Sequence, residues 1–136
     1  MAGGDPRRLL GEAGESLACR HLEARGFAVV ERNFRTRYGE LDVVAADSRY
    51  LVFCEVKSRI VRGRPGPLGP FSAIGARKRR QVRLMAREWL AQDGSGPRGG
   101  GRTPRPRPPE LRFDAIGVSF DAAGRLVELD HLEDAF

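Results

Sequence analysis

The alternation of apolar and polar positions divides the chain into seven elements. In "LLGEAGESLACRHLEAR" (9–25), Leu10, Ala13, Gly14, Leu17, Ala18 and His21 recur at helical spacing, so a first helix carries one apolar arc with Glu15 beside it. Gly26 ends it. "FAVVERNF" (27–34) predicts a strand, "RTRYG" a turn, and "ELDVVAAD" (40–47) a second strand. Its period of two puts Leu41, Val43 and Ala45 on one side and Asp42 and Val44 on the other. "DSR" turns the chain into a third strand, "YLVFCEVKSR" (50–59), and "VRGRPGPLGPF" (61–71) is a Gly/Pro loop. "SAIGARKRRQVRLMAREWLAQ" (72–92) predicts a second helix, with Ser72 as N-cap. Val82, Met85, Ala86, Trp89 and Leu90 form its buried stripe, and Lys78, one turn earlier, is directed inward. Two more strands follow, "LRFDAIGVSF" (111–120) and "LVELDHL" (126–132). The order α-β-β-β-α-β-β predicts an α/β fold with a mixed sheet flanked by helices, in one domain spanning residues 1–136.

One strand breaks its own pattern. Leu51, Val52, Phe53, Cys54 and Val56 mark the third strand as core, yet Glu55 and Lys57 sit within it. A buried charge is costly unless it is paired or coordinates an ion. Residues two apart share a side, so Glu55 and Lys57 project together. A hairpin with Ser48-Arg49 at its tip sets Asp42 opposite Glu55. Two facing carboxylates repel, and a divalent cation with a preference for hard oxygen ligands, Mg²⁺ or Mn²⁺, removes the objection. Lys57 then sits beside the ion, where it could steady a water or the charge on a phosphate, and Glu15 could complete the acidic set. The plainer alternative is a structural network in which Lys57 neutralises Asp42 and Glu55.

Charge narrows the partner. The chain carries +6, and from Val56 to Arg87 it contains no acid but ten bases. Such one-signed density favours nucleic acid. Of the 24 basic residues only Lys57 and Lys78 are lysine, which marks both for roles a guanidinium does not fill. Residues 93–110, "DGSGPRGGGRTPRPRPPE", have no apolar anchor and are expected to be a disordered basic insert. No stretch approaches the ~20 apolar residues of a membrane span. The N-terminus lacks the apolar core of a signal peptide. Cys19 and Cys54 form neither a disulfide framework nor a zinc spacing. A cytoplasmic protein with reduced thiols is expected.

Taken together, "GEAGESLACRHLEARGF", "RTRYGELDVVAAD", "YLVFCEVKSR", "SAIGARKRRQVRLMAREWL", "LRFDAIGV" and "HLEDAF" resemble the YraN family, small bacterial proteins of the PD-(D/E)xK nuclease superfamily that are similar to Holliday-junction resolvases. The resemblance implies a restriction-endonuclease-like core and a Mg²⁺-dependent endonuclease acting on DNA, in branched or repair intermediates. By motif, Asp42 and Glu55 match metal ligands, Lys57 the catalytic lysine and Glu15 the helical glutamate. Lys78 matches a basic position at the start of the following helix. The proline of "PD" is replaced by Leu41. Arg59, Arg77, Arg79 and Arg80, with Lys78, are expected to hold the nucleic-acid backbone. A homodimer with two symmetric sites follows from the resolvase similarity alone. The alternative function is a nucleic-acid-binding protein on a nuclease fold without activity of its own.

The remaining polar residues read as structural. Glu40, close to Asp42 in the second strand, is expected to serve at the surface. His21 is expected to pack in the core and His131 to lack a partner. Arg112 and Asp114 are expected to pair on the fourth strand, and Trp89 to serve helix packing.

Overall fold

The computed structural model describes residues 5–63, 75–92 and 110–136. Ser72, the Gly/Pro loop beyond Gly63 and insert residues 93–109 lie outside them. The elements are α1 (Pro6–Ala24), β1 (Ala28–Thr36), β2 (Gly39–Ala46), β3 (Tyr50–Ile60), α2 (Ala76–Ala91), β4 (Glu110–Phe120) and β5 (Leu126–Leu132). The predicted order holds. Glu110, assigned to the insert from sequence, instead opens β4.

One five-stranded sheet has the order β1-β2-β3-β4-β5. β3 and β4 run parallel, joined through α2, while the other neighbours are antiparallel. The helices cover opposite sides. Phe34, Leu41, Val44, Phe53, Phe113 and Phe136 pack with Val82, Met85 and Trp89 of α2. Val43, Ala45, Val52, Cys54, Ile116 and Val118 pack with Ala18, Cys19 and Leu22 of α1. Both strand faces of β3 are thus apolar, as expected for a parallel-paired central strand. Trp89 is fully buried, set edge-on to Phe53, and donates its indole N–H to Glu31 Oε1 at 2.8 Å.

Local chemistry sets the element ends. Asp5 caps α1, its carboxylate accepting from Arg7 N at 3.0 Å, and Pro6 occupies the first turn. The β2–β3 turn is an Asx turn: Asp47 Oδ1 accepts from the amides of Arg49 and Tyr50. α2 begins after Gly75, three residues later than Ser72, without a side-chain cap. The buried arc of α1 is also rotated from expectation. Gly14, Ala18, Cys19 and Leu22 are buried, whereas Ala13 is exposed.

Gly14 explains that rotation. A β-carbon there would overlap Ser58 Oγ and lie 3.1 Å from Ser58 Cβ. Only glycine lets α1 approach β3 this closely, and the approach sets Glu15, the next residue, against the sheet.

Candidate metal centre

The β2–β3 ladder has the expected register, with Val43 opposite Cys54 and Ala46 opposite Leu51. It ends at the Val43–Cys54 pair. One step further, the Asp42 side chain replaces a backbone acceptor: Oδ2 accepts from Val56 N at 2.8 Å. The two strands part there, and Asp42 lies at the fork.

The sides of β2 differ from the simple alternation. Val43 and Ala45 lie under α1, but Leu41 lies with Val44 under α2. The strand reverses its faces between Leu41 and Val43. β1 does the same: Arg32 reaches Ser16 of α1, whereas Phe34 packs under α2. Between them Asn33 has φ 54°, a left-handed conformation that Asn tolerates better than most residues. This paired irregularity turns Asp42 toward α1. Glu55 keeps the regular alternation of β3 and points toward α2, so Asp42 and Glu55 are opposite in register but do not share a side.

Three carboxylates converge on the α1 side. Glu15, Glu40 and Asp42 each offer an oxygen lying within 4.8 Å of the other two. Glu40 is exposed, as expected from sequence, and joins the set as well. Its spacing of two from Asp42 was the available signal, and the reversal at Asn33 completes the approach. Asn33 was not singled out in the sequence. Its side chain hydrogen-bonds Glu15, which lowers that carboxyl's pKa against a larger upward push from burial; the net shift is upward. Asp42 is pushed up to about 7, chiefly by burial and further by the charges of Glu15, Glu55 and Glu40; the bond from Val56 opposes this.

Each outer acid has a basic partner. Arg32 lies 3.8 Å from Glu15, Arg35 3.6 Å from Glu40, and Lys78 2.5 Å from Glu55. Lys78 is thus directed inward, as its helix position predicted. Asp42 has no ion-pair partner among the described residues. The donor set suits a hard divalent cation, being all carboxylate and short of positive charge at its most buried member.

Lys57 projects two residues beyond Glu55 and is exposed. Arg59 donates from Nε to Ser119 Oγ at 3.0 Å, and its buried Nη2 has no hydrogen-bond partner among the described residues. Arg77, Arg79 and Arg80 are exposed on the first turns of α2. The cysteines are free and buried, and burial pushes both thiols up, Cys54 strongly, so neither is a ready nucleophile. Among the described residues no helix is long and apolar enough to cross a membrane.

A separate polar chain crosses the sheet end. Fully buried Asp114 takes a forked pair from Arg112, a 2.7 Å bond with His131 Nε2 and the amide of Asp134. His131 Nδ1 lies 3.0 Å from His21 Nε2. The Arg112–Asp114 pair was expected. His131, expected to lack a partner, has two, because β5 places it between α1 and β4.

Comparison with known proteins follows the same span. The family model described as "Uncharacterised protein family UPF0102" matches residues 14–118. A UPF0102 protein of Pelotomaculum thermopropionicum is 40% identical over 132 residues, covering 97% of this chain and 98% of that protein. One of Streptomyces griseus is 44% identical over 112 residues, covering 82% and 83%. One of Geobacter metallireducens is 39% identical over 127 residues, covering 93% and 91%.

Proposed function

The chain belongs to the UPF0102 family, a membership that by itself names no chemistry, and we propose from its acidic centre that it is a divalent-metal-dependent endonuclease acting on DNA phosphodiesters. The observation that carries this reading is the convergence of Glu15, Glu40 and Asp42, with Asp42 half-buried, without an ion-pair partner among the described residues, and its pKa raised to about 7. Asp42, Glu15 and Glu40 would hold the ion. Glu55, across the strand fork, would join by releasing Lys78. A bound Mg²⁺ or Mn²⁺ would supply Lewis-acid activation of water and neutralise phosphate charge.

The chain's own residues have separable tasks in this reading. Asp42 must be ionised to bind the ion, and the Val56 amide holds its carboxylate at the fork. Lys57, solvated and two residues beyond Glu55, would stabilise charge developing on the phosphate. The exposed arginines at the start of α2 would add sequence-independent backbone contacts. The second reading, a binding protein without activity, is favoured by one feature: Arg32, Arg35 and Lys78 already balance three of the four acids.

The deciding experiment incubates labelled duplex, single-stranded, flap and four-way-junction DNA with Mg²⁺, Mn²⁺ or EDTA. Wild type runs beside Asp42→Asn, Glu55→Ala and Lys57→Ala. Cleavage in either metal but not in EDTA, lost in Asp42→Asn and reduced at least 100-fold in Lys57→Ala, about the range of one charge-stabilising group, is expected. Binding without cutting on every substrate would select the second reading. The same experiment with light scattering on the DNA complex tests the homodimer.

A further inference from the structure

Arg35 lies far in sequence from the basic run on α2, yet it borders the acidic centre. A cleft of about 370 Å³ opens between α1 and the β1–β2 hairpin, lined by Glu15, Asn33 and Glu40 with Arg8 and Arg35. Two of the three converging carboxylates thus face this cleft. Arg8 is held by Glu12 at 3.2 Å and Arg35 by Glu40 at 3.6 Å, and both arginine side chains are 77% exposed. The cleft is acidic within and carries two guanidinium forks on solvated stems. An ion liganded within the cleft leaves these forks available to an anion above it.

The Arg35–Glu40 pair has a second consequence. It is long, exposed and made through Nε, a kind of pair that contributes little. Glu40 cannot give the same charge fully to a divalent ion and to Arg35. We propose that Arg35 is a metal-released phosphate clamp: a divalent cation at Glu15, Glu40 and Asp42 takes Glu40 from Arg35, and the freed guanidinium binds a nucleic-acid phosphate in the α1-side cleft, with Arg8 beside it. This rests on the metal-centre reading above. It deepens that reading by adding a phosphate contact on the α1 side of the sheet, opposite the basic run of α2. A guanidinium fork fits two phosphate oxygens at once, which gives Arg35 a geometric role that lysine would fill poorly.

The exchange makes two effects of opposite sign. Without nucleic acid, Arg35→Gln removes a competitor for Glu40, and Mn²⁺ affinity, read by electron paramagnetic resonance, rises by about two- to fivefold, the range of an exposed ion pair. With a fluorescein-labelled forked DNA duplex, wild type binds tighter in Ca²⁺ than in EDTA by anisotropy. Arg35→Gln loses most of that gain, by about tenfold, and binds as wild type does in EDTA. Arg35→Lys recovers only part of the gain. Retention of the full Ca²⁺ gain in Arg35→Gln overturns the proposal while leaving the metal centre intact. A fall in Mn²⁺ affinity together with DNA affinity also overturns it, since that marks a structural role. Absence of Mn²⁺ binding in wild type, with no difference from Asp42→Asn, removes both the clamp and the metal centre.

Discussion

Asp42 is a carboxyl held at the fork of two strands at a cost to the fold. Its folded pKa is about 7, above the ordinary 3.8, mainly through burial. The sign follows from proton binding. Between about pH 4 and 7 the folded state holds a proton that the unfolded chain has lost, so ionising Asp42 destabilises the fold progressively as pH rises through that window. After allowance for solvent, the effect is about 1–3 kcal/mol at pH 8. Asp42→Asn keeps an acceptor for Val56 N and removes the charge. It should raise the melting temperature in EDTA by about 4–10 °C at pH 8 and by almost nothing at pH 4, measured by calorimetry. Added Mn²⁺ should raise the melting temperature of wild type and leave Asp42→Asn unmoved. A wild type whose stability climbs from pH 5 to 8 in EDTA would contradict the assignment.

At the level of elements, the site depends on two backbone devices, the close approach of α1 and the reversal in the β1–β2 hairpin. Ala normally favours a helix interior over Gly by about 1 kcal/mol. At Gly14 the order should invert, because the added methyl meets Ser58. Gly14→Ala is expected to destabilise by about 1–3 kcal/mol in urea titration, with part recovered in Gly14→Ala/Ser58→Ala, which removes the overlapping hydroxyl. The hairpin offers a cleaner separation of fold from site. Asn33→Gly preserves the left-handed backbone but removes the bond to Glu15, so stability should change little while Mn²⁺ affinity falls. Asn33→Val should lose both, as a β-branched residue is strained at φ 54°. Unchanged Mn²⁺ affinity in Asn33→Gly, with losses confined to Asn33→Val, would show that Asn33 matters only for backbone shape.

Across the whole molecule, Asp114 ties distant segments together. It joins β4 to His131 of β5, to His21 of α1 through that ring, and to the amide of Asp134. Burial alone would raise its carboxyl. The bonds from His131, Arg112 and the Asp134 amide outweigh that and hold it below the ordinary range. Its contribution is therefore present above the unfolded pKa near 4 and is lost as pH falls below it. Asp114→Ala leaves Arg112 and His131 without their shared partner and should cost about 3–5 kcal/mol, lowering the melting temperature by about 10 °C or more at pH 7. At pH 3 the difference from wild type should shrink. Charge acts at the same scale. DNA binding should weaken steeply with salt, and a flat log–log plot of affinity against salt would argue against phosphate contacts.

The sequence alone determined the elements, their order, the β2–β3 register and the identity of the charged residues, because period, turn chemistry and strand length are local properties. Val82, Met85 and Trp89 announced the buried face of α2, and Asp47 announced its turn. The inward direction of Lys78 was also legible, since helical spacing fixes direction. The sharing of sides around the site was not. Strict alternation put Asp42 on the side of Glu55, whereas the reversal at Asn33 turns Asp42 and Glu40 toward Glu15 of α1. That reversal costs local strain and is sustained by packing on both faces of the sheet, with Phe34 and Leu41 under α2 and Val43 under α1. His131 likewise gained its partners only when β5 closed the sheet beside β4. Local pattern sets what each residue is and which way a regular element turns it. Which carboxylates meet is decided where regularity breaks, and only the packed sheet determines where that break is held.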